Sequence, residues 1–343
     1  MFNNTIQRIG FACKYMYPDQ SIKKQLLEEY QRPLNNRSTT VSWLNRQTRD
    51  VAEERLWDLM QHNIQSFENL VRYVGSLPHD LRMVRLGSDV LPVYTQSSWS
   101  YFWRLSDTQG YCERAFRRVG EIARELDVRL SMHPGQFCCF ASDREDVVLR
   151  SIEEFEYHVD VIRWMGYGKQ FQDFKCNIHV SGRNGVEGVK QALKKITPEA
   201  RNVITFENDE YSCGVDQLIE LADHAALVFD SHHHFIHSGE HMYPNDDRYQ
   251  KILESWRGVR PAMHYSASRE EYLLDADKLP VMDDLLAAGY KRGKLRAHSD
   301  YYTNHALSDL IYEFWQYSDI MCESKAKNLS SIQLYEYFKQ QHM

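Results

Sequence analysis

Six apolar runs along this chain each last about one strand and end on a side chain of the metal-binding type. Residues 128–132 lead to His133, 176–178 to His179, 203–206 to Glu207, 226–229 to Asp230, 262–263 to His264 and 320–322 to Glu323. Two further runs, 8–12 and 83–86, have the same length without such an ending. Helical periodicity fills the spaces between. Leu56, Leu59, Met60, Ile64, Phe67, Leu70, Val71 and Val74 recur at three- and four-residue steps, as do Ala115, Phe116, Val119, Ile122, Ala123 and Leu126. Val147, Val148, Ser151, Ile152, Phe155, Val159 and Ile162 repeat the pattern, and shorter helical stretches lie near 186–195, 215–223, 247–257 and 329–339.

Eight strands alternating with helices predict a single (β/α)8 TIM barrel over residues 1–343. The rival, an open doubly wound sheet, would bring a glycine fingerprint after its first strand, and Gly10-Phe11-Ala12-Cys13-Lys14 is not one. Three excursions interrupt the rhythm at 15–49, 235–247 and 269–296, where long loops are expected to shape a substrate site. Neither an internal repeat nor an interdomain linker is evident.

In a barrel, the six terminal side chains converge on one rim. Three imidazoles and three carboxylates around one cavity need cations to be tolerable there. A lone histidine at a strand end is an ordinary structural residue; six strand ends finishing on ligand types are not what packing selects. Asp230-Ser231-His232-His233-His234 is the densest point, and if the chain turns helical there, Asp230 and His233 share a face. Glu207 sits in the acidic run Glu207-Asn208-Asp209-Glu210, where a cation is needed to offset mutual repulsion and a bridging role is expected. His232, His237 and His241 are left aside as a solvated histidine cluster that would bind metal only adventitiously.

The net charge of -7 excludes nonspecific coating of nucleic acid but leaves a local basic cleft open. The hydrophobic fraction of 43% allows a large core, and no run approaches the roughly 20 apolar residues of a membrane span. Seven scattered cysteines lack the spacing of a disulfide framework, so a reducing, cytoplasmic setting without membrane contact is expected.

These motifs resemble the UV damage endonucleases, which belong with the endonuclease IV-like, xylose-isomerase-like TIM barrels. The resemblance is carried by Met132-His133-Pro134-Gly135-Gln136, Phe206-Glu207-Asn208-Asp209-Glu210, Asp230-Ser231-His232-His233-His234, Ala297-His298-Ser299-Asp300-Tyr301 and Asp319 to Lys325, in that order. It implies a cluster of up to three divalent ions, Mn²⁺ ahead of Zn²⁺. His133, His179 and Glu207 would hold one; Glu207, Asp230, His264 and Glu323 a second; His233 and His298 a third. It further implies hydrolysis of a phosphodiester 5′ to UV photoproducts in double-stranded DNA, by a monomer without a nucleotide cofactor and without a protein nucleophile.

Glu207 and Lys325 would be catalytic, and Gln136 and Phe137 would wedge into the duplex, with Phe137 replacing a tyrosine common in relatives. Burial of Phe137 beside Phe140 is the competing expectation. Phe11, Lys14, Tyr15 and Arg183 are candidate DNA or lesion contacts, with Arg46 and Lys327 as further phosphate candidates. Ala262 stands where some relatives carry a lysine. The rival functions are an abasic-site endonuclease of the endonuclease IV type, a sugar isomerase, and a barrel that binds damaged DNA without cutting it.

Overall fold

The structure is a computed structural model and describes residues 6–135, 137–273 and 275–343. All eight expected strands form: β1 Ile9–Ala12, β2 Met83–Arg85, β3 Arg129–Met132, β4 Lys175–His179, β5 Ile204–Glu207, β6 Ala226–Val228, β7 Ala262–Tyr265 and β8 Asp319–Cys322. Every pairing is parallel, in the spatial order β6-β5-β4-β3-β2-β1-β8-β7. Between the two end strands, Asp230 and His264 make a parallel bridge, and the His264 N–H donates to the Phe229 carbonyl at 2.9 Å. The ring therefore closes at two of the predicted metal ligands. This is the expected (β/α)8 barrel.

The period-2 pleat divides each strand between two environments. Phe11, Val84, Leu130, Cys176, Ile178, Phe206, Leu227 and Ile320 face outward and join the core shared with the helices, where all are nearly inaccessible. Full burial of each such side chain stabilises the fold by about 1.5–3 kcal/mol. The alternate positions point into the barrel, and there the sequence becomes polar: Lys175, Asn177 and His179 on β4, Thr205 and Glu207 on β5. Asn177 Oδ1 accepts a hydrogen bond from Thr205 at 2.7 Å, so adjacent interior layers are tied together.

Helices Arg49–Gly75, Ser106–Glu125, Glu145–Trp164, Gly185–Leu193, Asp247–Ser255 and Asn328–Gln341 lie where periodicity placed them. The stretch near 215–223 is shorter, a helix Val215–Leu218 tightening into a 3₁₀ turn. Helix His305–Trp315 was not foreseen, although Leu307, Leu310, Ile311 and Phe314 carry a helical spacing. The excursions hold short helices, among them Lys24–Gln31, Met282–Ala287 and Ser231–Ser238. None of the helices among the described residues is long and apolar enough to cross a membrane. The seven cysteines are unpaired.

At the N-terminal end of the barrel, fully buried Asp319 ties three strand starts together. It accepts from the Arg8 backbone N–H at 2.9 Å, from Arg260 Nε at 2.7 Å and from Arg129 at 2.6 Å. Removing one partner of a buried ion pair leaves the other charge uncompensated. Asp319→Ala is therefore expected to cost about 3–5 kcal/mol in urea unfolding; a loss under about 1 kcal/mol would show that the backbone carbonyls alone hold the two guanidinium groups.

Candidate metal centre

The C-terminal strand ends bring six predicted ligands together around Glu207, which has no exposed surface. Its carboxylate lies 3.0 Å from His264 Nδ1, 3.4 Å from His233 Nδ1 and 3.6 Å from His133 Nε2, and it accepts a hydrogen bond from Asn177. His264 Nδ1 is also 3.3 Å from Glu323 Oε1. Three sets of donor atoms lie close enough to share an ion: His133 with His179 and Glu207; Glu207 with Asp230 and His233; and Asp230 with His264 and Glu323.

Local folding explains these positions. Asp230 ends β6 and caps the helix Ser231–Ser238, accepting the His233 N–H at 2.7 Å. The exit is thus helical, as the shared-face argument required. His233 Nδ1 lies 3.0 Å from the Asn208 carbonyl oxygen, and Asn208 in turn exchanges hydrogen bonds with the Asp230 backbone.

Four buried atoms in this pocket have no hydrogen-bond partner: His179 Nδ1, Glu207 Oε1, Asp230 Oδ2 and His264 Nδ1. Leaving one such group unmade typically costs about 1–3 kcal/mol. Four at one point, all of ligand type and without thiolate, fit divalent cations.

Without an ion, protons balance the charge. Burial raises the Asp230 carboxyl well above its usual range, and neighbouring Glu207 and Glu323 add to the shift against the pull of His233. Burial disfavours the His233 imidazolium, but Asp230, Glu207, Glu210 and Glu323 outweigh it and push its pKa up to about 10. Glu207 resists its burial because His264 and His179 lower its pKa well below the carboxylate norm. Burial takes His264 down to about 4 and lowers His133, so both imidazoles offer a lone pair at neutral pH.

Several residues of the site escaped the sequence reading. Lys175, buried at the start of β4, places Nζ 2.6 Å from His264 Nε2, which leaves Nδ1 turned to the carboxylates. Burial pushes its ammonium down to about 7. Arg85 pairs with Glu323 across the barrel, and Glu210 approaches His233 at 3.7 Å. The available signal was the polar alternation Lys175, Asn177, His179 inside an apolar strand.

Other expectations need correction. Phe11 cannot touch DNA, because the pleat sends it outward into the helix layer at 1% exposure. Tyr15 is also buried, edge-on to Tyr73 at 4.8 Å. His298 stands outside the three donor sets, with Nδ1 3.0 Å from the Glu323 carbonyl oxygen, and His233 groups instead with Glu207 and Asp230. Lys325 turns to Asp300 at 3.7 Å; Lys327 is the half-buried lysine that feels Glu323. Lys14 and Arg46 are exposed, and Arg183 pairs with Asp143 at 3.0 Å. His232 is satisfied by Ser266, Ser268 and Leu295, a structural role. Phe137 is 86% exposed while Phe140 is buried, so Phe137 is no core residue. Its neighbour Gln136 lies outside the described residues.

The profile of the UV-endonuclease UvdE family matches residues 7–342. The chain belongs to this family. UV DNA damage endonucleases of Bacillus anthracis (strain A0248) and Bacillus cereus (strain B4264) are each 24% identical, over 87% of this chain and 87% of theirs. The crystal structure of SacUVDE superposes with a TM-score of 0.72 at 21% identity, covering 97% of this chain and 98% of its own. That of AsfvAP:AG follows at 0.52 and 11%, with 98% of each chain covered. These two share the fold. Family membership makes the chain a DNA repair endonuclease, which sets aside the sugar isomerase and the non-cutting barrel.

Because Asp230 and His233 hold protons that a cation would displace, Mn²⁺ binding at pH 7 is expected to release about one to two protons. Affinity then rises with pH across the range in which these groups deprotonate. Titration calorimetry in buffers of different ionisation enthalpy reads the number directly; zero protons released would place the ion elsewhere.

Proposed function

We propose that the rim holds a divalent cluster, manganese ahead of zinc, with which the enzyme hydrolyses the phosphodiester 5′ to UV photoproducts in duplex DNA. The observation that carries this reading is the convergence of unpartnered His179, Glu207, Asp230 and His264 atoms in one buried pocket. His133, His179 and Glu207 would hold one ion, Asp230, His264 and Glu323 a second, and His233 with shared Glu207 and Asp230 a third. When bound, such ions lower the pKa of water towards about 7 and offset charge developing on phosphate.

The chain's own residues do the rest. Lys175 fixes the face that His264 presents, Arg85 and Lys327 temper the charge of Glu323, and Asn177 holds Glu207. Phe137 presents its ring to solvent beside the His133 turn, where it can replace a lost stacking partner when a distorted duplex opens. Lys14 and Arg183 stand as phosphate contacts, and Lys325 becomes one on release from Asp300. Hydrolysis needs no nucleotide and no second subunit.

Irradiated and untreated supercoiled plasmids separate this reading from its rivals. Nicking is expected on irradiated plasmid only, with Mn²⁺ and not with chelator; equal nicking of untreated plasmid would refute lesion specificity. Nicking directed by abasic sites alone would favour the endonuclease IV type. Glu207→Gln is expected to lower incision at least about a hundredfold, since it removes a shared ligand. Phe137→Ala is expected to weaken the preference for damaged over intact duplex by about 1–3 kcal/mol in competition binding. An unchanged preference would assign the wedge to another side chain.

A further inference from the structure

The opposite end of the barrel carries a second concentration of chemistry that the endonuclease reaction does not use. A cavity of about 700 Å³ opens on the N-terminal face, bounded by the turns that lead into β1, β3, β4 and β7. Five arginines line it: Arg8, Arg124, Arg129, Arg257 and Arg260. Among the lining residues the one carboxylate is Asp127 at the edge, and Asp319 lies beneath. An excess of three positive charges is thus gathered in one concavity of a chain whose net charge is -7.

Structural pairing explains two of the five. Arg129 and Arg260 are held by Asp319 and by the Pro261, Arg260 and Trp315 carbonyls. The other three are not used up. Arg8 is 3% exposed, pairs through one nitrogen with Asp127 at 2.9 Å and leaves Nε without a partner. Arg124 donates to the Met165 carbonyl at 3.0 Å and Arg257 to the Asp223 carbonyl at 3.2 Å. Each guanidinium has five N–H donors, so most remain available. Two of the three also lie over an aromatic ring, Arg124 above Tyr167 at 5.0 Å and Arg257 above Phe171 at 4.3 Å, which fixes their planes. Planar, positioned guanidinium forks match phosphate oxygens.

We infer that this floor cavity binds a small polyphosphate anion, at a site separate from the metal rim. The volume falls within the range of small-molecule pockets and exceeds what one inorganic phosphate fills. Its position excludes the phosphates of a duplex engaged at the rim, because the strands and their interior side chains lie between. The ligand donates nothing to hydrolysis; it neutralises the arginine excess and ties together four of the turns that lead into the barrel.

The test is titration calorimetry of the purified, desalted enzyme with tripolyphosphate, with inorganic phosphate and an undamaged 20-base-pair duplex as comparisons. Saturable one-site binding of tripolyphosphate is expected, weakened at least tenfold in the doubly substituted Arg124→Gln, Arg257→Gln protein. Both side chains are exposed, so this variant should keep its melting temperature and its incision of irradiated plasmid. Glu207→Gln should bind tripolyphosphate as the parent does, whatever it does to incision, which keeps this result independent of the rim chemistry. No saturable binding, equal binding by the double variant, loss of binding in Glu207→Gln, or duplex binding that depends on Arg124 and Arg257 would each overturn the inference.

Discussion

Glu207 has no access to solvent and nevertheless stays ionised, because the imidazoles around it, His264 and His179 foremost, hold its pKa well below the carboxylate norm against the cost of burial. That one arrangement constrains the rest of the barrel. A buried carboxylate isolated from water would take up a proton; here the cost is offset by His264, His179 and His133, each from a different strand end or the turn that follows it. Those turns can meet only if the sheet closes, and closure itself runs through the Asp230–His264 bridge. Fold and site are therefore one construction at this end: the last seam of the barrel is made of ligands.

Six of the eight strands were legible because their apolar runs stop on a ligand-type residue, and a change of that kind survives any error of a residue in the boundary; the runs at 8–12 and 83–86 were read from length and rhythm. The candidate ligands His133, His179, Glu207, Asp230, His264 and Glu323 were picked out by the same signal, and the fold brings their donor atoms together. Side-chain direction was less legible. Phe11 was named a candidate lesion contact through the family resemblance at the first strand, yet the pleat that turns Met83 and Arg85 inward on β2 turns Phe11 outward on β1. Lys175 was missed because the apolar run was started at Cys176, which left the inward lysine outside the strand. His298 lies more than thirty residues beyond the end of β7, and no local periodicity fixes the path of the 269–296 excursion that delivers it. Partner choice among Lys325, Lys327, Asp300 and Glu323 depends on a positive-φ turn at Lys327, which sequence does not announce.

Buried lysine and arginine divide the barrel interior into two regimes. Arg85 and Lys175 sit below the carboxylates and face them, so the acidic rim rests on a cationic layer. Beneath that, fully buried Asp319 sits between Arg129 and Arg260, and Asp127 at the edge takes the guanidinium of Arg8. Charge thus alternates along the barrel axis, and each layer lowers the desolvation cost of the next. The rim keeps a surplus of acid and the floor a surplus of base, which is why the two ends suit ligands of opposite sign.

An acidic rim is an odd place to receive DNA. Glu207, Asp230, Glu323 and Glu210 would repel a phosphodiester, and among the exposed cations named as phosphate contacts, Lys14, Arg183 and Lys325, the last two are already shared with Asp143 and Asp300. The protons held by Asp230 and His233 reduce the repulsion without reversing it. In the proposed reading, divalent charge at the centre of these donors would make the rim attractive to a polyanion, so the groups that would hold the ions would also decide whether substrate can approach. Substrate affinity and catalysis then share one electrostatic origin. In the proposed reading, selection among DNA sites would fall to what remains outside that field, the exposed apolar ring of Phe137, which gains nothing from phosphate and would respond to whether neighbouring bases are stacked.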